Sequence, residues 1–498
     1  MKWNADTMGK KELIGLVAGP ALFIVFGFLI RPEGMDLMAA RTLAAILWIA
    51  TWWVTEAIDI AMTSLLPLVL FPLLGVVTIE DMGSAYADDL IFLFMGGFIL
   101  ALALEKWNLH RRIALNIILR VGTNSRLIVL GFMIATGFLS MWISNTATTL
   151  MMVPIGLALL TQIGEGIDGE TGNRIGKALL LGIAYSASIG GMATIVGTPT
   201  NAIFLKAVED NYDMTIPFDQ WILFGLPISI VLLFAAWWFL VRVAQPLPAK
   251  RLPGSRDDIR RQLQELGKMG YEEKWVLGIF ALVAVAWISR SYLLKPILPG
   301  INDTIIVMAG LIPLFVLPAK RTEGRIMDWN TAKKLPWGIL LLFGGAFALA
   351  LAFQESGLGS WLAGKFSLLG DMPVWIILLA LVAFTNFITE ITQNIATCTL
   401  IMPVIVVLAP EINVHPFGLM AATAVASSCA FMLPFATAPN AIVFGSGRIR
   451  MTDMIRAGFS LNLISVALIT ALAYWLLPVI WDYTATEFPI EWVKFGQP

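Results

Sequence analysis

Apolar runs of roughly 17–25 residues recur along the chain from residue 13 to residue 480, each long enough to cross a bilayer as a helix. The pattern predicts eleven crossings, at about 13–31, 38–55, 60–78, 89–105, 174–206, 219–242, 275–293, 303–319, 336–353, 414–446 and 456–480. Two apolar blocks are left over, 125–163 and 371–410, each long enough for two half-spans. The first carries MWISNTATTL (141–150), with Ser144, Asn145, Thr146, Thr148 and Thr149 and no charge. The second carries a similar cluster, TEITQNIATCTL (389–400). Each block reads as a re-entrant hairpin that enters and leaves by one face. Backbone freed at such a tip is tolerated at membrane depth only where it lines a cavity or holds a ligand.

The basic residues test this pattern. With the N-terminus in the cytoplasm, 26 of the 33 Lys and Arg residues fall in inside segments. Among these are Lys2, Lys10 and Lys11, the cluster from Lys106 to Arg126, Arg174, Lys177 and the stretch from Arg242 to Lys274. Arg31, Arg41, Lys206, Arg290, Lys295, Lys365 and Lys494 stay outside, beside the acidic IEDMGSAYADD and VEDNYD. Had either hairpin been a single crossing, every later loop would change side and the asymmetry would fall. Composition agrees: the chain is 58% hydrophobic and only 13% charged, where a soluble chain carries about 25% charged residues. The expectation is an all-α polytopic protein of the cytoplasmic membrane, with a cytoplasmic N-terminus and an extracytoplasmic C-terminus. The first apolar run is too long for a signal-peptide core and lacks a small-residue cleavage site, so it reads as a retained helix. A net charge of −1 without a separate basic domain gives no reason to expect a nucleic-acid partner. Cys398 and Cys429 lie in apolar segments and read as packing residues.

The chain repeats itself. FMGGFILALAL (94–104) answers LFGGAFALALA (342–352), and ISNTATTLMMVP (143–154) answers TQNIATCTLIMP (392–403). GTPTNAI (197–203) answers ATAPNAI (436–442), aligning Thr198 with Thr437 and Asn201 with Asn440. The predicted organisation is an N-terminal segment with the first helix (1–37), a first repeat (38–243), a cytoplasmic linker (244–274), a second repeat (275–482) and an extracytoplasmic tail (483–498). Each repeat holds five crossings and one hairpin. Five is odd, so the second repeat is inverted. Inverted repeats with broken helices mark secondary transporters that bind near the midplane. Residues 127–173 and 366–447 contain no Lys or Arg, so an anion held there must be met by helix dipoles and bound cations. Hard oxygen ligands suit an alkali cation, while a neutral solute also remains open at this point. No nucleophile–base constellation or metal motif points to an enzyme, and matched hairpins fit a channel poorly.

The motifs WWVTEAIDIAMTSLLPLVLFPLLGV (52–76), FLSMWISNTATTL (138–150) and SSCAFMLPFATAPNAIVF (427–444) resemble those of the divalent anion–sodium symporter family, which includes bacterial-type dicarboxylate, citrate and sulfate carriers. The resemblance implies a homodimer in which a transport region moves against a scaffold as an elevator. It implies two sodium sites, the first at Ser140, Ser144, Asn145 and the Gly197 backbone. The second lies at Thr389, Asn394 and backbone near Thr392 and Ala436. A carboxylate substrate would meet Ser144, Asn145, Thr146, Asn394 and the Thr198 and Thr437 regions. The implied activity is sodium-coupled symport of a C4-dicarboxylate such as succinate, malate or fumarate. Sodium-independent dicarboxylate exchange, and citrate or sulfate symport, are the alternatives. One departure bears on them: the second Ser-Asn-Thr of the family is Gln393-Asn394-Ile395 here, which removes a hydroxyl and adds bulk.

Several other residues invite a role. Glu390 is ionisable at membrane depth and reads as support for the hairpin backbone. Glu56 and Asp59 are expected to be structural at a short inside turn. His110 and His415 lack metal-ligand companions. The aromatic run at 46–54 reads as membrane-interface and scaffold packing, and the basic stretch at 106–126 as an arm on the cytoplasmic surface whose Arg111 and Arg112 meet lipid headgroups.

Overall fold

The computed structural model describes residues 9–122, 124–164, 169–249, 255–366, 372–489 and 492. Lys2, Lys250, Arg251 and Lys494 of the charge count, and residues 490, 491 and 493–498 of the expected 483–498 tail, lie outside the described residues. The regular structure of the described residues is helical, apart from isolated bridging such as that between Pro318 and Arg325. Among the described residues, eight helices are long and apolar enough to cross a membrane by length and composition. Several segments expected as single crossings are shorter or broken. The 60–78 segment divides into Ile60–Thr63 and Leu66–Leu73, and the 303–319 segment is helical over Asp303–Val316. The acidic stretch after residue 78 is a helix, Ile79–Tyr86, rather than an open loop; Thr78 caps it by accepting from Asp81 N at 3.2 Å.

Both apolar blocks fold as helical hairpins, Ser125–Ser140 with Asn145–Gly164 and Val374–Ile388 with Asn394–Glu411. Both turns fall at the polar clusters. Two helices are broken where the sequence places Thr and Pro, at Gly197-Thr198-Pro199 and at Thr437-Ala438-Pro439. Gly169–Gly191 gives way to a single 3₁₀ turn at Ile195–Gly197 before Pro199–Tyr212, and Pro416–Ser427 gives way to irregular chain before Ala438–Gly445. Proline lacks an N–H and suits the first turn of a helix; here it restarts each broken helix just after an extended threonine, Thr198 or Thr437.

Packing sorts the helices into two groups. Hairpins and broken helices pack on one another and on Phe218–Phe239 and Met451–Trp475. These form the inner group; in a second, outer group Asp89–Lys106 packs on Asp303–Val316, Tyr271–Ser289 packs on both, and Trp337–Glu355 packs on Ile60–Thr63, Leu66–Leu73 and Ile79–Tyr86. Elements of opposite repeats interleave in both groups. The aromatic run belongs to the outer group: Trp52 Nε1 donates to Gly15 O at 3.0 Å and Trp53 Nε1 to Ser64 Oγ at 3.3 Å.

The linker and the arm differ from expectation. Ser255–Glu265 is a helix packed on the arm helix Leu109–Val121 and on the first hairpin, not a purely solvated connection. Arg112 does not face lipid. It is buried, its guanidinium meets Glu273 at 2.8 Å, and it donates to the Gly267 and Leu266 carbonyls. The half-buried Arg111 lines a cavity between the arm, the first hairpin and the linker helix. The linker turns back over the arm, so a charge that would snorkel to headgroups finds a carboxylate instead.

Candidate functional site

At the first tip, Ser140 ends one hairpin helix and Asn145 begins the next. Ser140 Oγ lies 2.6 Å from Asn145 Oδ1 and 2.7 Å from the carbonyl oxygen of Ala187, on the broken helix. At the second tip, Thr389 Oγ1 lies 2.9 Å from Asn394 Oδ1 and 2.8 Å from the carbonyl oxygen of Ser427, on the other broken helix. A hydroxyl carries one proton and donates to one acceptor at a time. Each tip therefore gathers three oxygens around a single hydrogen, an arrangement that attracts a hard cation.

The breaks close on the tips. A methyl group placed on Gly191 would lie 2.5 Å from Asn145 Oδ1 and 3.0 Å from the Gly197 carbonyl oxygen, so these two oxygens converge beside a glycine that leaves them room. Thr194 donates its hydroxyl to the Met141 carbonyl. Ser144 Oγ accepts from Ala147 N at 3.3 Å at the start of its helix. Of the anticipated residues, Ser144, Asn145, Asn394 and Thr437 are half-buried and Thr146 is exposed, while Ser140, Thr198, Thr389 and Ala436 are buried. The Thr392 hydroxyl is engaged by its own hairpin, donating to Ile388 O at 2.9 Å and lying against the Thr397 hydroxyl, so that residue offers backbone rather than side chain. Ile395 is half-buried beside Asn394, and Gln393 Nε2 turns outward to Glu56 Oε1 at 3.3 Å.

The two breaks face each other. Thr200 and Ser428 share a hydroxyl–hydroxyl contact of 2.8 Å, Cys429 Sγ lies 3.7 Å from Met192 Sδ, and the Tyr185 and Phe431 rings meet at 5.1 Å. Each break is tied by an asparagine of matched position. Asn201 Nδ2 donates to Thr194 O at 2.8 Å and Met192 O at 3.4 Å, and Asn440 Nδ2 to Ala430 O at 3.0 Å and Leu433 O at 3.1 Å. Breaking a helix frees backbone groups that must find partners, and these carboxamides supply them. Glu390 does the same for freed N–H groups. Its Oε1 accepts from Phe431 N at 2.7 Å, Met432 N at 2.9 Å and Asn462 Nδ2 at 2.7 Å, and its Oε2 from Leu433 N at 3.0 Å.

The sequence aligned Asn201 with Asn440 without giving either a role, and it missed Asn386 and Asn462. Asn386 Nδ2 donates to Cys429 O at 2.8 Å and Ser465 Oγ at 3.2 Å. A lone asparagine in an otherwise apolar run, as in VAFTNFI or SLNLISV, was the available signal. The histidines hold structure: His110 Nδ1 lies 3.1 Å from Leu104 O, and the His415 ring stacks on Tyr483 at 4.0 Å.

Residues 10–481 match the sodium:sulfate symporter transmembrane region. The chain belongs to the divalent anion–sodium symporter family. Among similar family members, the sodium-dependent dicarboxylate transporter SdcS of Staphylococcus saprophyticus is 46% identical over 484 residues, covering 96% of this chain and 93% of that protein. SdcS of Staphylococcus aureus strain USA300 is 45% identical over 477 residues, covering 94% and 92%. The symporter fold also resembles two solved transporters at low identity. The Alcanivorax borkumensis YdaH transporter gives a TM-score of 0.55 at 15% identity, covering 93% of this chain and 98% of that one. Neisseria gonorrhoeae MtrF, from a class of antimetabolite efflux pumps, gives 0.54 at 13% identity, covering 98% and 99%. At such identities these two speak for the fold alone.

Proposed function

We propose that the chain is a secondary active transporter that carries a C4-dicarboxylate, such as succinate, malate or fumarate, across the cytoplasmic membrane in symport with sodium. The observation that carries this reading is the matched pair of oxygen clusters, Ser140–Asn145–Ala187 and Thr389–Asn394–Ser427, each with a hydroxyl between two acceptors. Relatives at 45–46% identity, named as sodium-dependent dicarboxylate transporters, support sodium as the ion and a dicarboxylate as the anion.

In this reading the first ion takes Ser140, Ser144, Asn145 and the Gly197 carbonyl. The second takes Thr389, Asn394 and the backbone near Thr392 and Ala436. The substrate carboxylates lie between the tips, against Ser144, Asn145, Thr146, Asn394 and the Thr198 and Thr437 regions. Helix N-termini at Asn145, Pro199 and Asn394 add positive dipole ends. With no Lys or Arg in residues 127–173 or 366–447, anion binding depends on the two ions, which couples the fluxes. The inner helix group moves as an elevator against the outer group in each subunit of a homodimer. Eleven crossings and two hairpins place the N-terminus in the cytoplasm and the C-terminus outside.

Ile395 and Gln393 favour a second reading, sodium-independent exchange, because they alter the substrate side of the second tip. Accumulation of radiolabelled succinate in proteoliposomes, with an inward sodium gradient or with choline, separates the two. Symport predicts uphill accumulation in sodium alone; equal counterflow in both media would favour exchange.

A further inference from the structure

The inner and outer groups meet through polar contacts at two levels. At the level the charge pattern assigns to the outside, Lys206 Nζ meets Asp88 Oδ2 at 2.6 Å. Gln354 Nε2 donates to Asn211 Oδ1 at 2.7 Å, Ser291 Oγ to Asp219 Oδ1 at 2.9 Å, and Phe218 N to Asp303 Oδ2 at 3.1 Å. At the level assigned to the cytoplasm, the second tip meets the outer group through Gln393 and Glu56 at 3.3 Å.

Both partners of the ion pair are fixed on their own group. Asp88 Oδ1 caps Asp89–Lys106 by accepting from Leu90 N at 3.0 Å, leaving Oδ2 for Lys206. The next residue is pinned to the outer group by Thr304, whose hydroxyl donates to Asp89 O at 3.1 Å. Lys206 is steered from within its own helix by Asp210 at 2.8 Å, one turn on. The side chains of Lys206 and Asp88 are 17% and 10% exposed, so water screens the pair less than it would a surface pair. A 2.6 Å contact between bodies that slide past each other by several ångströms is made in one position and lost in the other.

We propose that Lys206 and Asp88 form a clasp at the extracytoplasmic end of the two groups, holding the position in which the tips lie at the level of Glu56 and the site faces the cytoplasm. The clasp rests on the moving-site reading above. Lys206 and Asp88 are positioning residues: they touch neither ion nor substrate and set which side the site faces.

The test uses Ile391→Cys, a tip position 59% exposed and outside the binding set, against a background in which both native cysteines are fully buried. Full-length protein in right-side-out and inside-out vesicles is labelled with a membrane-impermeant thiol reagent, and succinate transport is followed in parallel. Asp88→Asn removes the charge and keeps the cap, since Asn caps as well as Asp; Lys206→Gln removes the other half. Each is expected to raise the ratio of external to cytoplasmic labelling about fivefold, the change that about 1 kcal/mol produces. The double variant should rise no further, because partners of one contact are not additive. An unchanged ratio in both single variants, with the parent labelled from both sides, overturns the clasp and leaves the moving site standing. Full additivity in the double variant also overturns it. Labelling from one side in every variant that still transports succinate overturns the moving-site reading, and the clasp with it.

Discussion

Within the Ser-Asn-Thr motif the second tip differs from the first at two residues, Gln393 and Ile395. Ile395 stands where the family's motif has a hydroxyl, next to Asn394, and in the proposed reading it faces the substrate. Ile395→Thr, alone or with Gln393→Ser, should change succinate affinity by about ten- to hundredfold, since one hydrogen bond to a charged group contributes about 1.5–3 kcal/mol. Sodium dependence should change little, because Thr389 and Asn394 are untouched; uptake measured in sodium and in choline reads both effects. Glu390 makes a contrasting case. Four donors converge on its two carboxylate oxygens. Glutamine would set an amide N–H2 against either the Leu433 N–H or the three donors on Oε1. Glu390→Gln should therefore destabilise the folded protein by about 2–3 kcal/mol, read as a lower Tm in detergent. Both residues were conspicuous in the sequence for opposite reasons, a missing hydroxyl and a buried charge. Asn386 and Asn462 were not, because only the fold shows which freed backbone group or side chain an asparagine will meet.

Helix breaks and tips account for most of the site, and glycine decides how closely they approach. Gly191 sits where a methyl group would press on Asn145 Oδ1 at 2.5 Å and on the Gly197 carbonyl oxygen at 3.0 Å. Gly191→Ala should cut sodium-coupled uptake by at least about tenfold, as loss of one ligand to a desolvated ion costs more than 1.4 kcal/mol. It should leave the hairpin folded, because the clash is with the ligand group itself. Gly190→Ala is the harsher change: its methyl would fall 2.2 Å from the Gly137 carbonyl oxygen on a facing helix, where only backbone movement can make room. Folded yield should drop in that variant and hold in the first. The hairpins and breaks were legible because small polar residues recur at one spacing in both repeats. The arm was misread for a physical reason: amphipathic periodicity shows that Arg112 lies on a polar face, but not that Glu273, 161 residues later, comes to meet it. Arg112→Gln should cost about 2–3 kcal/mol, because the buried Glu273 loses its 2.8 Å partner and keeps only Arg321 at 3.6 Å, again read in Tm.

At the scale of the whole chain, the two halves exchange partners. The restarted helix Pro199–Tyr212 of the first half packs on the second hairpin, and Ala438–Gly445 of the second half packs on the first. Each tip closes on its own repeat's break, while the breaks meet through Thr200 and Ser428, so ions and substrate would share walls drawn from both halves. The sequence displayed the repeat through its matched motifs, and its inversion is proposed from the odd number of crossings expected in each half. It could not show how the two groups interlock, since Lys206–Asp88 and Gln354–Asn211 join residues 118 and 143 positions apart with no periodic signal. Sidedness itself is open to direct test. Cysteine at Thr331 should be labelled only from the cytoplasm and cysteine at Asp213 only from outside; labelling of both from one side would break the inverted repeat.

The central claim is that two sodium ions, held at Asn145 and Asn394, carry the anion. The most direct measurement is the initial rate of succinate uptake into proteoliposomes as external sodium is varied, for the parent, Asn145→Ala and Asn394→Ala at equal protein levels. The parent should need sodium and respond to it with a sigmoidal curve, and each alanine variant, folded by its Tm, should lose uptake at every sodium concentration. A parent indifferent to sodium, or near-normal uptake in either variant, would contradict the account.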